Sequence, residues 1–146
     1  MRILILCTGN SCRSQMAHGF LQSFDNTLEI CSAGTQPAEH VNTKAIAVMQ
    51  EIGIDISSYV PHNVIEFLDQ EWDYVITVCD NANETCPIFI GQVKQRLHIG
   101  FDDPSEAVGN SVFVEKEFRR VRDEIKKQFY NLYLHVISKT YIDRHD

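Results

Sequence analysis

The feature that most constrains this chain is a polar loop, Cys7-Thr8-Gly9-Asn10-Ser11-Cys12-Arg13-Ser14, set between the apolar run Ile3 to Leu6 and a helical pattern from Gln15 to Phe24. A cysteine, five residues and an arginine between a strand and a helix form a loop that can wrap a tetrahedral oxyanion. Successive backbone N–H groups point inward as a nest, and the helix that follows adds its positive end. Arg13 supplies a planar two-pronged donor for two oxygens of one anion. The donors that hold the anion also favour a thiolate at Cys7, with Ser14 able to donate one more hydrogen bond. A thiol of ordinary pKa ~8.5 can be lowered to ~3.5–7.5 in such surroundings, which makes it a nucleophile. The bland alternative, a small buried hydrophobe ending a strand, is a common fate for free cysteine, but the polar residues around Cys7 suit a loop better than a core.

At 146 residues, 44% of them apolar and 23% charged, the chain suits one globular domain spanning residues 1–146. No apolar run reaches the ~18–20 residues needed to cross a bilayer, and the five apolar residues after Met1-Arg2 are too few for a secretory signal. The expected location is the cytoplasm. A net charge of −7 argues against nucleic acid or an anionic membrane as partner. Five cysteines, Cys7, Cys12, Cys31, Cys79 and Cys86, are an odd set for a structural disulfide framework. No C-x2-C pair or histidine pair at ligand spacing suggests zinc, so neither metal nor cofactor is expected and redox chemistry is the better reading.

Apolar runs alternate with helical patterns, as in a parallel α/β sheet. Strands are expected at Arg2–Leu6, Leu28–Ser32, Tyr74–Cys79 and Arg96–Ile99. Helices are expected at Gln15–Phe24, after an Asn42 cap with Gly53 as the stop, around Val64–Leu68, and along a last helix. There Val114, Phe118, Val121, Ile125, Phe129, Leu132 and Val136 mark one apolar face, opposite a solvated face of Arg and Lys. The architecture is a three-layer fold, a four-stranded parallel sheet with helices on both faces, and the loop lies at the carboxyl ends of the strands.

Cys79 closes the third expected strand as Cys7 closes the first, so adjacent strands would bring both sulfurs to one sheet edge. Cys86 follows seven positions later. In a helix that separation is ~10.5 Å, too far for a disulfide, which needs Cα atoms ~4.4–6.8 Å apart. A Cys79–Cys86 bond requires the stretch between them to bend, which reads as a redox-switched segment; two unrelated cysteines are the alternative. Asp103, in Asp102-Asp103-Pro104, is the candidate acid for a departing oxygen, although an Asp-Pro pair also simply starts turns.

Taken together, Cys7 to Ala17, Val78-Cys79 to Cys86-Pro87 and Gly100-Phe101-Asp102-Asp103-Pro104 resemble the thioredoxin-coupled arsenate reductases, a family that shares the low-molecular-weight protein tyrosine phosphatase fold. Ser32-Ala33-Gly34, Val41-Asn42 and Arg120 to Ile125 extend the likeness over most of the chain. The resemblance implies that Thr8, Gly9, Asn10, Ser11, Cys12, Arg13 and Ser14 hold arsenate, with phosphate or sulfate as competitors. It implies that Cys7 attacks arsenic while Asp103 protonates the leaving oxygen. Cys79 then attacks Cys7 and releases arsenite, and Cys86 attacks Cys79, leaving a disulfide for thioredoxin; glutaredoxin with glutathione is the other candidate reductant.

Some relatives bind potassium through acidic residues at positions that here hold His18 and His62, so little potassium activation is expected. Cys12 is expected to face away from the site, with protection of Cys7 as its other possible use, and the extension from Tyr141 to Asp146 has no evident function. Two other functions fit the same residues. A phosphatase acting on phosphotyrosine or small phosphate esters would leave Cys79 and Cys86 idle, and a non-catalytic thiol sensor would have no need of Asp103.

Overall fold

In the computed structural model, which describes residues 1–139, four parallel strands run in the spatial order β2-β1-β3-β4: β1 (Arg2–Cys7), β2 (Glu29–Gly34), β3 (Trp72–Thr77) and β4 (Val93–His98). Ile3, Leu4, Ile5 and Leu6 are all fully buried, so β1 is covered on both faces, as a central parallel strand must be. β4 is the edge strand and is largely exposed, with Lys94, Gln95, Arg96 and His98 in solvent and Val93 and Leu97 half-buried. The connections carry α1 (Arg13–Phe24), α2 (Thr43–Gln50), α3 (Asp80–Thr85) and α4 (Ser111–Leu132). From β1 the chain passes to β2 on one side and later to β3 on the other. The reversal opens a crevice at the carboxyl end of β1, where open α/β sheets bind ligands. The Cys7 loop emerges there.

Met16, Ala17, Phe20 and Leu21 of α1 and Phe118, Val121, Ile125 and Phe129 of α4 are buried where the two helices pack together over the sheet. Each such large apolar side chain contributes about 1.5–3 kcal/mol through removal from water. The caps follow from sequence chemistry. The Asn42 side chain accepts from the N–H groups of Lys44 and Ala45, and Asn110 accepts from Phe113 N–H. Gly53 takes φ +81° just beyond α2, a conformation open to glycine without steric cost.

The expected elements are all present, with shifted ends. β2 runs on through Ala33 and Gly34, because Gly34 pairs with Cys7 and bridges to Asn63. β3 stops at Thr77, and Cys79 is instead the N-cap of α3. β4 begins three residues earlier than its apolar residues suggest, and the short helix near Val64 is a 3-10 turn, Val64–Phe67. The reading of residues 141–146 falls outside the described residues.

Two expectations about the last helix need correction. Arg122 does not belong to a solvated face: it is buried, donates to Val48 O and Glu51, and ties α4 to the end of α2. The apolar stripe also does not continue to Val136. After Leu132 the backbone makes a π turn, Tyr133–Ile137, whose extra residue rotates the face so that Ile137 is fully buried and Val136 exposed. Replacing Ile137 by Asp should therefore lower unfolding free energy by about 3 kcal/mol or more through a buried unpaired charge. Val136→Asp should cost less than about 1 kcal/mol. Urea denaturation of both variants checks this, and a reversed order would mean that the helix keeps its regular register.

Candidate active site

The loop after β1 is held from outside by its carbonyls. Cys7 O accepts from Thr35 N–H, Thr8 O from Gln36 N–H, Gly9 O from Ala38 N–H and Ser11 O from Asn42 N–H, at 2.8 to 3.2 Å. Asn10 O accepts from the Gln15 side chain, and Cys12 O from Met16 N–H. The N–H groups of Gly9, Asn10, Ser11, Cys12 and Arg13 find no acceptor among the described residues. Backbone donors without partners are costly once removed from water, so five of them at a helix N-terminus have the chemistry to receive an anion. Asn10 sustains the ring in the left-handed region, at φ 49°, a conformation that asparagine tolerates.

Arg13 closes the ring. Its guanidinium donates to Phe101 O at 3.0 Å and lies 3.5 Å from Asp103 Oδ2, while Nε is buried without a partner among the described residues. Asp103 Oδ1 accepts from Ser105 N–H and Oγ, capping the 3-10 turn Pro104–Glu106 and fixing the carboxyl over the loop. Cys7, Gly9, Ser11, Cys12, Arg13 and Asp103 line a cavity of about 120 Å³. An adjoining cavity of about 460 Å³ shares Arg13 and Asp103 and leads past Thr8 to Cys79.

Cys12 thus faces the cavity, contrary to expectation, because it is the residue at which the loop turns into α1. Burial and then Asp103 push its thiol up to about 12, which keeps it protonated. Asn10 and Ser14 line neither cavity; both side chains are buried behind the loop, with Asn10 Nδ2 donating to Ser14 Oγ at 2.8 Å.

The pairing of β1 with β3 brings Cys79 to Cys7. Cys7 is the largest influence pulling the Cys79 thiol down, to about 5. Thr8 Oγ1, at 3.4 Å, and Ala82 N–H, at 3.4 Å, also serve the Cys79 sulfur. Cys79, then burial, pushes the Cys7 thiol up, while Arg13 and the Thr8 backbone pull it down. The two sulfurs titrate as a coupled pair, with Cys79 the more acidic. The thiolate expected at Cys7 is therefore opposed by its neighbour Cys79 and by burial.

Cys86 lies apart, at the far end of α3. All five cysteines are unpaired. Cys86 shares a cavity of about 280 Å³ with Thr77, Asn83, Arg96 and His98, and its thiol donates to Pro87 O at 3.5 Å. The short helix is pinned to β4 at its start, where His98 Nε2 meets Asp80 Oδ1 at 3.0 Å and His98 Nδ1 meets Thr77 Oγ1 at 2.8 Å.

Behind the loop runs a polar chain in which sequence reasoning pointed to His18, Ser32 and Asn10 but missed the linking Gln15. His18 Nδ1 bonds Ser32 Oγ at 3.1 Å, Ser32 Oγ donates to Gln15 Oε1, and Gln15 Nε2 holds Asn10 O. The available signal was a Gln at the start of an otherwise apolar helix face. Burial, then His62, push His18 down to about 4, so a neutral imidazole stands there. The residues at this place do not fit potassium: a hard cation needs charged or carbonyl oxygens, and both expected carboxylates are imidazoles. Among the described residues no cluster of three His, Cys, Asp or Glu could hold a metal ion.

These contacts have measurable consequences. The unfolded chain protonates His18 near 6.5 and the folded one near 4, so stability is full above 6.5 and declines as pH falls toward 4. After discounting for partial exposure, the loss is roughly 2 kcal/mol. Chemical denaturation of wild type and His18→Gln at several pH values should show the slope only in wild type, and added potassium should leave both unchanged. A Cβ at Gly34 would collide with Thr8 O and lie 3.0 Å from Asn10 N. Gly34→Ala should therefore cost about 1–3 kcal/mol and abolish thermal stabilisation by phosphate, as read by calorimetry.

The description "low molecular weight phosphotyrosine protein phosphatase" matches residues 2–142. An arsenate reductase of Halalkalibacterium halodurans is 45% identical over 127 residues, covering 86% of this chain and 90% of that protein. One from Bacillus subtilis is 42% identical, covering 84% and 88%. Among solved structures, an arsenate reductase in the phosphate binding state superposes with a TM-score of 0.75 at 32% identity, covering 92% of this chain and 98% of that one. With the fold, the loop and the paired sulfurs in place, these likenesses show that the chain is an enzyme of the low molecular weight phosphotyrosine protein phosphatase family.

Proposed function

We propose that this enzyme reduces arsenate to arsenite, with three cysteines passing two electrons outward. The observation that carries this reading is the Cys79 sulfur, held by Thr8 Oγ1 in the cavity that adjoins the loop and near enough to Cys7 for the two thiols to titrate together. Hydrolysis of a phosphate ester has no use for a second ionised sulfur against the nucleophile, whereas thiol–disulfide exchange requires one. Relatives named arsenate reductase, at 42–45% identity, support the same substrate.

Arsenate enters the 120 Å³ cavity and takes the five unpaired N–H groups and Arg13 Nε. Cys7 transfers its proton to Cys79 and attacks arsenic. Asp103, released from Arg13 as the guanidinium turns to the anion and protonated from the incoming arsenate, gives the leaving oxygen its proton. Cys79 loses its proton and attacks the sulfur of Cys7. The electrons of the S–As bond stay with arsenic, which leaves as arsenite, and a Cys7–Cys79 disulfide remains. Cys86 then attacks Cys79 and frees Cys7. This step needs α3 to unwind, since the helix separates the two cysteines; the His98–Asp80 contact, the Thr77 side chain and the buried Ala82 hold its first turn to the sheet. Thioredoxin reduces the exposed Cys79–Cys86 disulfide, in the cytoplasm. Phosphate and sulfate compete for the loop. No helix among the described residues is long and apolar enough to cross a membrane.

A coupled assay with arsenate, thioredoxin, thioredoxin reductase and NADPH tests the reading. Wild type should consume NADPH only when arsenate is present. Cys79→Ser should lose this turnover at least 100-fold yet still hydrolyse p-nitrophenyl phosphate slowly, and Cys86→Ser should stop after about one equivalent. Hydrolysis unaffected by Cys79→Ser, together with no arsenate-dependent NADPH use by wild type, would make the protein a phosphatase.

A further inference from the structure

We infer that Arg96 is the cation that readies Cys86 for attack on the Cys7–Cys79 disulfide, an assignment that rests on the cascade proposed above. Six arginines lie among the described residues, and five hold carboxylates: Arg2 with Glu29, Arg13 with Asp103, Arg119 and Arg122 with Glu51, Arg120 with Glu117. Arg96 has no carboxylate within 4 Å among the described residues. Its guanidinium instead lies over the ring of Phe89, 5.4 Å from the centroid. Phe89 is buried and only three residues beyond Cys86, so the ring fixes the cation at the wall of the cavity that Cys86 also lines.

The other groups facing that cavity are neutral or occupied. β3 contributes Val75 and Thr77, α3 contributes Asn83, and β4 adds Leu97 and His98. His98 is engaged by Thr77 and Asp80 on its two ring nitrogens. Arg96 is therefore the unspent positive charge beside this sulfur. Burial pushes the Cys86 thiol up and Arg96 pulls it down. Arg96 stands on the sheet, outside the helix that has to bend, so its charge stays in place while the thiol ionises.

The step balances without a further reagent. Cys86 gives its proton to water, since arginine has no acceptor, and its thiolate attacks the Cys79 sulfur. The Cys79–Cys86 bond forms, the Cys7–Cys79 bond breaks, and its electron pair leaves on Cys7 as a thiolate among the loop donors. Arg96 thus acts through Cys86 as a positioning residue.

The test is the pH profile of Cys86 alkylation by iodoacetamide in the fully reduced protein, followed by peptide mass spectrometry for wild type, Arg96→Gln and Arg96→Lys. Arg96→Gln should slow Cys86 labelling at neutral pH by roughly three- to tenfold and move its profile to higher pH. Arg96→Lys should restore most of the rate, the difference should shrink at high salt, and Cys31 labelling should not change. Superimposable profiles for wild type and Arg96→Gln, or an Arg96→Lys protein no faster than Arg96→Gln, would overturn the assignment. Labelling needs no arsenate, so the two readings fail separately. A shifted profile in a protein that never links residues 79 and 86 overturns the cascade and the step given to Arg96 with it. An unshifted profile in a protein that does link them overturns Arg96 alone.

Discussion

Every carbonyl from Cys7 to Cys12 has a donor elsewhere in the fold, and that constraint leaves the loop's N–H groups free for the anion proposed above. The partners come from four places: the segment after β2, the α2 cap at Asn42, the α1 backbone and the Gln15 side chain. With the oxygens spoken for, the N–H groups can only turn inward, where burial makes an unpartnered donor expensive until an anion arrives. Gly34 shows how close the packing is, since no side chain fits between β2 and the Thr8 carbonyl. Arg13 completes the ring with a charge that Asp103 half satisfies, leaving Nε without a partner.

The second consequence of the strand order is chemical. Because β3 is the neighbour of β1, the Cys79 sulfur lies beside Cys7, and the Arg13 charge acts on both. A site built for hydrolysis would keep its nucleophile alone. Here two sulfurs titrate together, and the third is kept away by a six-residue helix held at its first turn. Such a helix is short enough to be marginal by itself, which suits a segment that opens once per turnover in the proposed cascade.

Much of this was legible in the residues. The Cys7 loop, the flanking strand, the α1 face and the Asn42 cap follow from local chemistry, and local chemistry is what sequence patterns record. The Asp103 turn was legible for the same reason, since Pro104 fixes the chain beside the carboxyl. What was not legible depends on contacts between distant positions. Arg122 looks solvated by helical period alone, and only the docking of α2 against α4 buries it beneath Val48 and Glu51. The His18–Ser32–Gln15 chain needs α1 beside β2, and the coupled titration of Cys7 and Cys79 needs β1 beside β3. The π turn after Leu132 leaves no mark on a hydrophobic period, because both Val136 and Ile137 are apolar.

The most direct test of three sulfurs acting in sequence is a single turnover without reductant. Reduced protein is mixed with one equivalent of arsenate, quenched in acid, and its disulfides are mapped by peptide mass spectrometry beside arsenite release. One Cys79–Cys86 disulfide per arsenite formed, with Cys7 again a free thiol, is the expected result. Arsenite released while residues 79 and 86 stay unlinked would contradict it.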